Sequence, residues 1–189
     1  FFLNDGTGHF GSKIEFGDPD GSTIDVAIGD IDGDGDPDFI LANRDGQANQ
    51  ILFNDGSLGF NESVTFGTGT DETRSVRIAD LNGDGISDIV TGNIGEPNAV
   101  YIGHGDGSFE PGAPFGQNEE TYAVITVDVD QDGDKDIVAV SWLPSKAEPA
   151  NVYERPRASV VCLEQTSSRK FERHTLEENA TVHAALAPK

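Results

Sequence analysis

A nine-residue acidic pattern occurs three times at nearly even spacing. The copies are Asp30-Ile-Asp-Gly-Asp-Gly-Asp-Pro-Asp38, Asp80-Leu-Asn-Gly-Asp-Gly-Ile-Ser-Asp88 and Asp128-Val-Asp-Gln-Asp-Gly-Asp-Lys-Asp136. Their first residues lie 50 and then 48 positions apart. Carboxylates this close repel one another, so three aligned copies imply a cation in each. A fixed period also restricts the fold to an architecture built of repeated units.

The period extends beyond the acidic stretches. Asn4-Asp-Gly-Thr-Gly-His-Phe10 recurs as Asn54-Asp-Gly-Ser-Leu-Gly-Phe60, and more loosely as Gly103-His-Gly-Asp-Gly-Ser-Phe109. Phe-Gly pairs follow at Phe16-Gly17, Phe66-Gly67 and Phe115-Gly116. The first full copy predicts four short strands. Strand A is Ile24 to Gly29, strand B Phe39 to Ala42, strand C Gln50 to Phe53 and strand D Phe60 to Phe66. Asn54-Asp-Gly is a hairpin signal between C and D. Strands A and B show little polar alternation and read as fully buried.

Four antiparallel strands per period give the blade of a β-propeller, so the fold class is all-β. The units run 1–17 (partial), 18–67, 68–116, 117–176 and 177–189 (partial). In the fourth, strand B is Ile137 to Trp142, a proline-bearing loop spans Leu143 to Arg157, and strands C and D are Ala158 to Leu163 and Lys170 to Leu176. The tail Thr181 to Ala187 falls where a further strand A belongs, although composition also permits a helix over Thr175 to Ala187. About four units point to part of a larger propeller; a small ring closed by the tail is the other arrangement. Open blade edges would permit self-association.

Within each loop, side chains at positions 1, 3, 5 and 9 and the backbone carbonyl at position 7 supply hard oxygen ligands, and Gly35, Gly85 and Gly133 at position 6 allow the turn. The metal candidates are therefore Asp30, Asp32, Asp34, Asp36 and Asp38; Asp80, Asn82, Asp84, Ile86 and Asp88; and Asp128, Asp130, Asp132, Asp134 and Asp136. Oxygen ligands in this number suit Ca²⁺ better than Mg²⁺, and about three ions are expected. No His or Cys lies inside the loops, which argues against Zn²⁺ or copper. Position 12 is Leu41, Thr91 or Ala139 rather than Glu, and the flanks are strand-like, so the loops are not EF-hands. The bland alternative, a metal-free acidic turn, has three aligned copies against it. Asn82 and Ile86 make the second loop the weakest.

These units resemble the FG-GAP or VCBS repeats of integrin α-subunits and many bacterial extracellular proteins. The resemblance rests on the Phe-Gly pairs, strand A and the D-x-[DN]-x-D-G-x-x-D loop. It departs after strand B, where Leu41-Ala-Asn43, Thr91-Gly-Asn93 and Val140-Ser-Trp142 replace Gly-Ala-Pro. It implies Ca²⁺ at the loops, an extracellular, cell-surface or periplasmic setting, and a module that binds protein or carbohydrate, as in cell adhesion. Some polysaccharide lyases carry similar calcium-bearing propellers, which leaves a catalytic alternative open.

The formal net charge is −22, from 34 acids and 12 bases, so nucleic acid is a poor partner. No apolar run is long enough to insert as a membrane helix. No nucleophile–base set stands out, and no catalytic residue is assigned. His9 and His104 fall in hairpin turns, and His174 and His183 in the last units. Arg44, Arg74, Arg77, Arg155 and Arg157 are the cations a lyase-like site would draw on, and Trp142 and Tyr153 could stack on a sugar. The lone Cys162, in an apolar run, reads as a buried structural thiol.

Overall fold

The computed structural model describes residues 1–116, 120–141, 158–167 and 170–178, all of them in strands, turns and loops. The long fourth-unit loop, with Trp142, Tyr153, Arg155 and Arg157, and the tail with His183 lie outside the described residues. Four antiparallel sheets follow one another along the chain. The first holds only β1 (Phe2–Asn4) and β2 (Phe10–Lys13). The second is β3 (Thr23–Gly29), β4 (Asp38–Asn43), β5 (Asn49–Phe53) and β6 (Glu62–Phe66). The third is β7 (Thr73–Ala79), β8 (Asp88–Asn93), β9 (Asn98–Tyr101) and β10 (Ala113–Phe115). The fourth is β11 (Thr121–Val127), β12 (Asp136–Ser141), β13 (Ala158–Ser167) and β14 (Lys170–Glu178).

Each four-stranded sheet runs A-B-C-D as the period predicts, every strand pairing with its sequence neighbour. The copies keep one register. Ala27 faces Ile40 as Arg77 faces Val90 and Ile125 faces Val138. Each strand A carries a bulge near its start, at Thr23/Asp25, Thr73/Ser75 and Thr121/Ala123. Irregularity conserved at one repeat position is a built feature of the strand. The sheets do not close into a ring among the described residues.

Side chains alternate along each strand, so every sheet has one face toward the preceding unit and one toward the next. Ile31, Ile40, Ala42 and Ile51 of the second sheet pack on Val76, Ile89, Ala99 and Tyr101 of the third. Leu81, Val90, Val100 and Ile102 of the third pack on Val124, Ile137, Ala139 and Leu163 of the fourth. A smaller seam joins the first two units, where Phe1, Phe16 and Phe60 surround Phe39, Leu41 and Leu52. The Phe16 and Phe39 rings stack there at 4.6 Å.

The expectation that strand A is fully buried is corrected at β3, and at β11, where Tyr122, Ile125 and Val127 are exposed. Val76 and Val124 are 0 % exposed, yet Val26 at the same repeat position is 44 % exposed. Ile24 and Ile28 beside it are exposed as well. The first sheet packs on Phe39, Leu41 and Leu52 of the second, and the Ile24–Val26–Ile28 face of β3 is left exposed among the described residues. The opposite end shows the same effect. Ile31 and Leu81 are 2 % exposed, whereas the equivalent Val129 is 49 % exposed.

Candidate metal centres

The three acidic loops each join strand A to strand B, at one end of the stack. Position 9 closes each loop from within. Asp38 is fully buried and accepts hydrogen bonds from the Ile31 and Asn54 amides, both at 2.9 Å. Asp88 repeats this with the Leu81 amide at 2.8 Å and the Gly103 amide at 2.9 Å. Asp136 accepts the Val129 amide at 2.8 Å. The position 9 carboxylate thus ties the loop start to the base of the blade, and in the first two loops also to the exit of strand C.

Burial raises the Asp38 pKa above its ordinary 3.8; the two amide bonds oppose this, and the charges of Asp32 and Asp34 add to it. Asp88 is raised in the same way, by burial first, with Asp84 and Asp80 contributing. Ionised carboxylates in these loops therefore destabilise one another, and a cation among them would relieve that.

Position 1 organises the turn. Asp30 accepts the Gly33 and Gly35 amides at 2.8 and 3.1 Å. Asp80 accepts Gly83, Asp84 and Gly85 at 2.8, 3.2 and 2.8 Å. In the third loop position 4 is Gln131, which adopts φ 67°, a left-handed conformation that glycine fills in the other copies. There, among the described residues, Asp128 accepts only the Gly133 amide, at 3.1 Å, and its buried Oδ1 has no hydrogen-bond partner. A buried carboxylate oxygen without a donor is suited to ligate a cation.

Carboxylate oxygens of Asp30, Asp32 and Asp38 lie within 4.8 Å of one another, as do those of Asp128, Asp130 and Asp136. These two clusters could hold metal ions. Their donors are all hard oxygens, which fits Ca²⁺. Asp34 and Asp132 at position 5 stand outside the clusters, each accepting the position 7 amide, at 2.8 and 3.0 Å. Asp36 at position 7 turns its carboxylate toward the Asn54–Gly56 hairpin; a Cβ at Gly56 would come within 2.7 Å of it. Asp134 is exposed.

The remaining described candidates have acidic neighbours, and Arg74 Nε is buried without a hydrogen-bond partner. Arg74 lies near Glu72, Arg44 near Asp45, and His9 near Asp5. His174 pairs with Glu164 at 2.7 Å. Cys162 is buried, and burial pushes its thiol pKa up, against nucleophilic use.

Sequence reasoning missed the polar side chains that join units. Asp25 Oδ2, in the middle of β3, accepts from Ser75 Oγ, the Val76 amide and Arg77 Nη1 at 3.1, 3.1 and 2.8 Å. Ser75 Oγ in turn accepts the Val124 amide at 3.3 Å. The signal was a lone acid inside an apolar strand. At the other end of the sheets, Asn49 Nδ2 donates to Thr73 Oγ1, which donates to Asn93 Oδ1, both at 2.9 Å. Asn43 and Asn93 stand where Gly-Ala-Pro was expected. Each takes its strand C neighbour's Oδ1 on its own amide, at 2.8 Å.

No curated protein matches this chain. The FG-GAP-like repeat matches it three times, over residues 1–41, 30–91 and 80–139. Adjacent matches overlap on the first two acidic loops, Asp30 to Leu41 and Asp80 to Thr91, and the third loop closes the last match. The matches together span residues 1–139 of 189, and the strand order and repeated loops agree with them. The chain belongs to the FG-GAP-like repeat family.

Proposed function

We propose that this chain is a calcium-stapled interaction module that works outside the cytosol. The observation that carries the reading is the convergence of Asp30, Asp32 and Asp38, repeated by Asp128, Asp130 and Asp136. These residues hold the ion, which supplies charge neutralisation and pins strand A to strand B. Loops of this kind bind Ca²⁺ at about 10⁻⁴–10⁻³ M in extracellular modules, concentrations met outside cells rather than in cytosol. The role is structural. At ten times its dissociation constant each ion adds about 1.4 kcal/mol of stability.

The module's business is then recognition of a protein or carbohydrate by the surface that the stacked sheets present. Support for a non-catalytic role comes from the acids, which the loops and hairpins engage, and from Arg77, which pairs with Asp25. The apolar stripes of Ile24, Val26 and Ile28 and of Ile125, Val127 and Val129 support association with further blades or with other copies. Thermal melting in millimolar CaCl₂ and in excess chelator tests the core of the proposal. We expect Tm to fall on chelation and recover on readdition of calcium but not of Mg²⁺ at equal concentration. An unchanged Tm would defeat it.

A further inference from the structure

The three loops differ in how far the protein itself satisfies them. In the first, Asp32 Oδ1 accepts the Asp34 amide at 3.2 Å, and a carboxylate oxygen of Asp32 joins the Asp30–Asp38 cluster. In the third, Asp130 Oδ1 accepts the Asp132 amide at 3.2 Å while Asp130 joins its own cluster, and Asp128 keeps one buried oxygen unpartnered. The second loop is bonded differently. Asn82 Oδ1 accepts the Asp84 amide at 2.9 Å. The atom that corresponds to the second carboxylate oxygen is a donor, and it donates to Asp84 Oδ2 at 2.8 Å. Asp80 accepts three amides where Asp30 accepts two and Asp128 one. Position 9 does not distinguish the first two loops, since Asp88 and Asp38 each spend both oxygens on amides.

Packing replaces the ion's pinning role as well. Ile86 at position 7 lies against its own blade's hairpin: a Cβ placed at Gly105 would meet Ile86 Cδ1 at 3.5 Å, and one at Gly103 would meet Cγ2 at 3.3 Å. In the first loop the same side of the hairpin faces the charged Asp36. The second loop thus carries three acids in place of five, an internal amide–carboxylate bond in place of a carboxylate pair, and an apolar contact in place of a charged one. Each change lowers the electrostatic demand for a cation and raises the stability of the turn without one.

We propose that the loops are not equivalent: the first and third take Ca²⁺, and the Asp80–Asp88 loop is a self-satisfied turn that holds its shape without an ion. The chain then binds two calcium ions where its repeat count implies three. This rests on the calcium reading above and departs from it only in the count and the loops.

Counting bound calcium separates the two. The chelator-stripped protein is titrated with CaCl₂ by isothermal calorimetry, and the bound ions are weighed by native mass spectrometry. We expect two ions on the unaltered chain, one on Asp130→Ala, and still two on Asn82→Ala. The double change Asn82→Asp with Ile86→Asp restores the pattern of the first loop. It should raise the count to three and lower the chelated Tm. A count of three on the unaltered chain, or a loss of one ion in Asn82→Ala, overturns the proposal and leaves the calcium reading standing. A count of zero overturns the calcium reading and this inference with it. A count of one overturns the assignment of the first and third loops.

Discussion

Val26 and Val76 are the same residue at the same repeat position in the same kind of strand, and one is exposed where the other is sealed. Strand propensity, register and neighbours in sequence do not differ enough to explain this. What differs is the sheet lying over them. Val76 meets Ile31, Ile40, Ala42 and Ile51 of the second unit, while Val26 has no sheet over it among the described residues. A repeat of this family buries little on its own; its core is made at the junctions between units.

The largest effect follows from placing a charge at both positions. Val76→Asp buries a carboxylate without a partner and should cost more than about 4 kcal/mol. Val26→Asp should cost about 1 kcal/mol or less, since the site is wet already. Chemical denaturation of both variants reads the difference. Equal, large losses would mean that β3 is covered in solution, and would turn the exposed stripe into an occupied interface.

Truncation at the opposite faces gives the next effect. Leu81→Ala opens a cavity in the seam between the third and fourth units and should cost about 2–5 kcal/mol. Val129→Ala, at the equivalent position of the last described loop, should change stability by no more than about 0.5 kcal/mol. A Val129 variant as damaging as the Leu81 variant would show that the fourth unit's outer face is buried against something.

Smaller again is the polar link across the covered junction. Asp25 offers one carboxylate oxygen to three donors of the third unit. Asp25→Ala leaves those donors to compete for water in a half-buried seam, a loss of about 1–3 kcal/mol. Arg77→Ala in the same background should then add little, because the pair shares one interaction. Additive losses in the double-mutant cycle would refute the link.

How much of this was legible follows from where the information lies. Period, strand order and loop positions are written locally: Gly at tight turns, Asp at alternating positions, β-branched runs between. They placed each A–B hairpin within a residue or two. Burial of strand A was not legible, because it depends on whether another sheet covers the strand. The roles inside the loop were legible only in part. Position 9 reads as a metal ligand by spacing, and its two amide bonds emerge only once strand C folds back to present Asn54 or Gly103. Asp25 was passed over because its partners stand fifty residues on, across a junction the sequence does not spell out.

The smallest effect is the most diagnostic, because the sealed position 9 carboxylates and those of the open hairpins shift in opposite directions. Asp38 and Asp88, sealed by the blade, have raised pKa values; Asp5, Asp55 and Asp106, in the open hairpins, have lowered ones, chiefly through hydroxyl hydrogen bonds from Thr7, Ser57 and Ser108. A raised acid binds its proton more tightly in the folded state than in the unfolded one. It therefore destabilises the fold when ionised, and stability returns as pH falls through the folded pKa toward 3.8. A lowered acid stabilises the fold above 3.8, and that contribution is lost only below it, as pH falls through the folded value. The two windows do not overlap. In chelator, Tm should rise on mild acidification from neutral pH, then fall once pH drops below 3.8. In saturating calcium the first limb should reverse, since protons compete with the ion for the same oxygens and acid releases it. Melting curves from pH 7 to 3 with and without calcium decide the matter. A chelated protein that loses stability steadily from neutral pH would show that the Asp38 and Asp88 carboxylates are not strained by burial, and the argument for a cation at the first loop would lose its electrostatic footing.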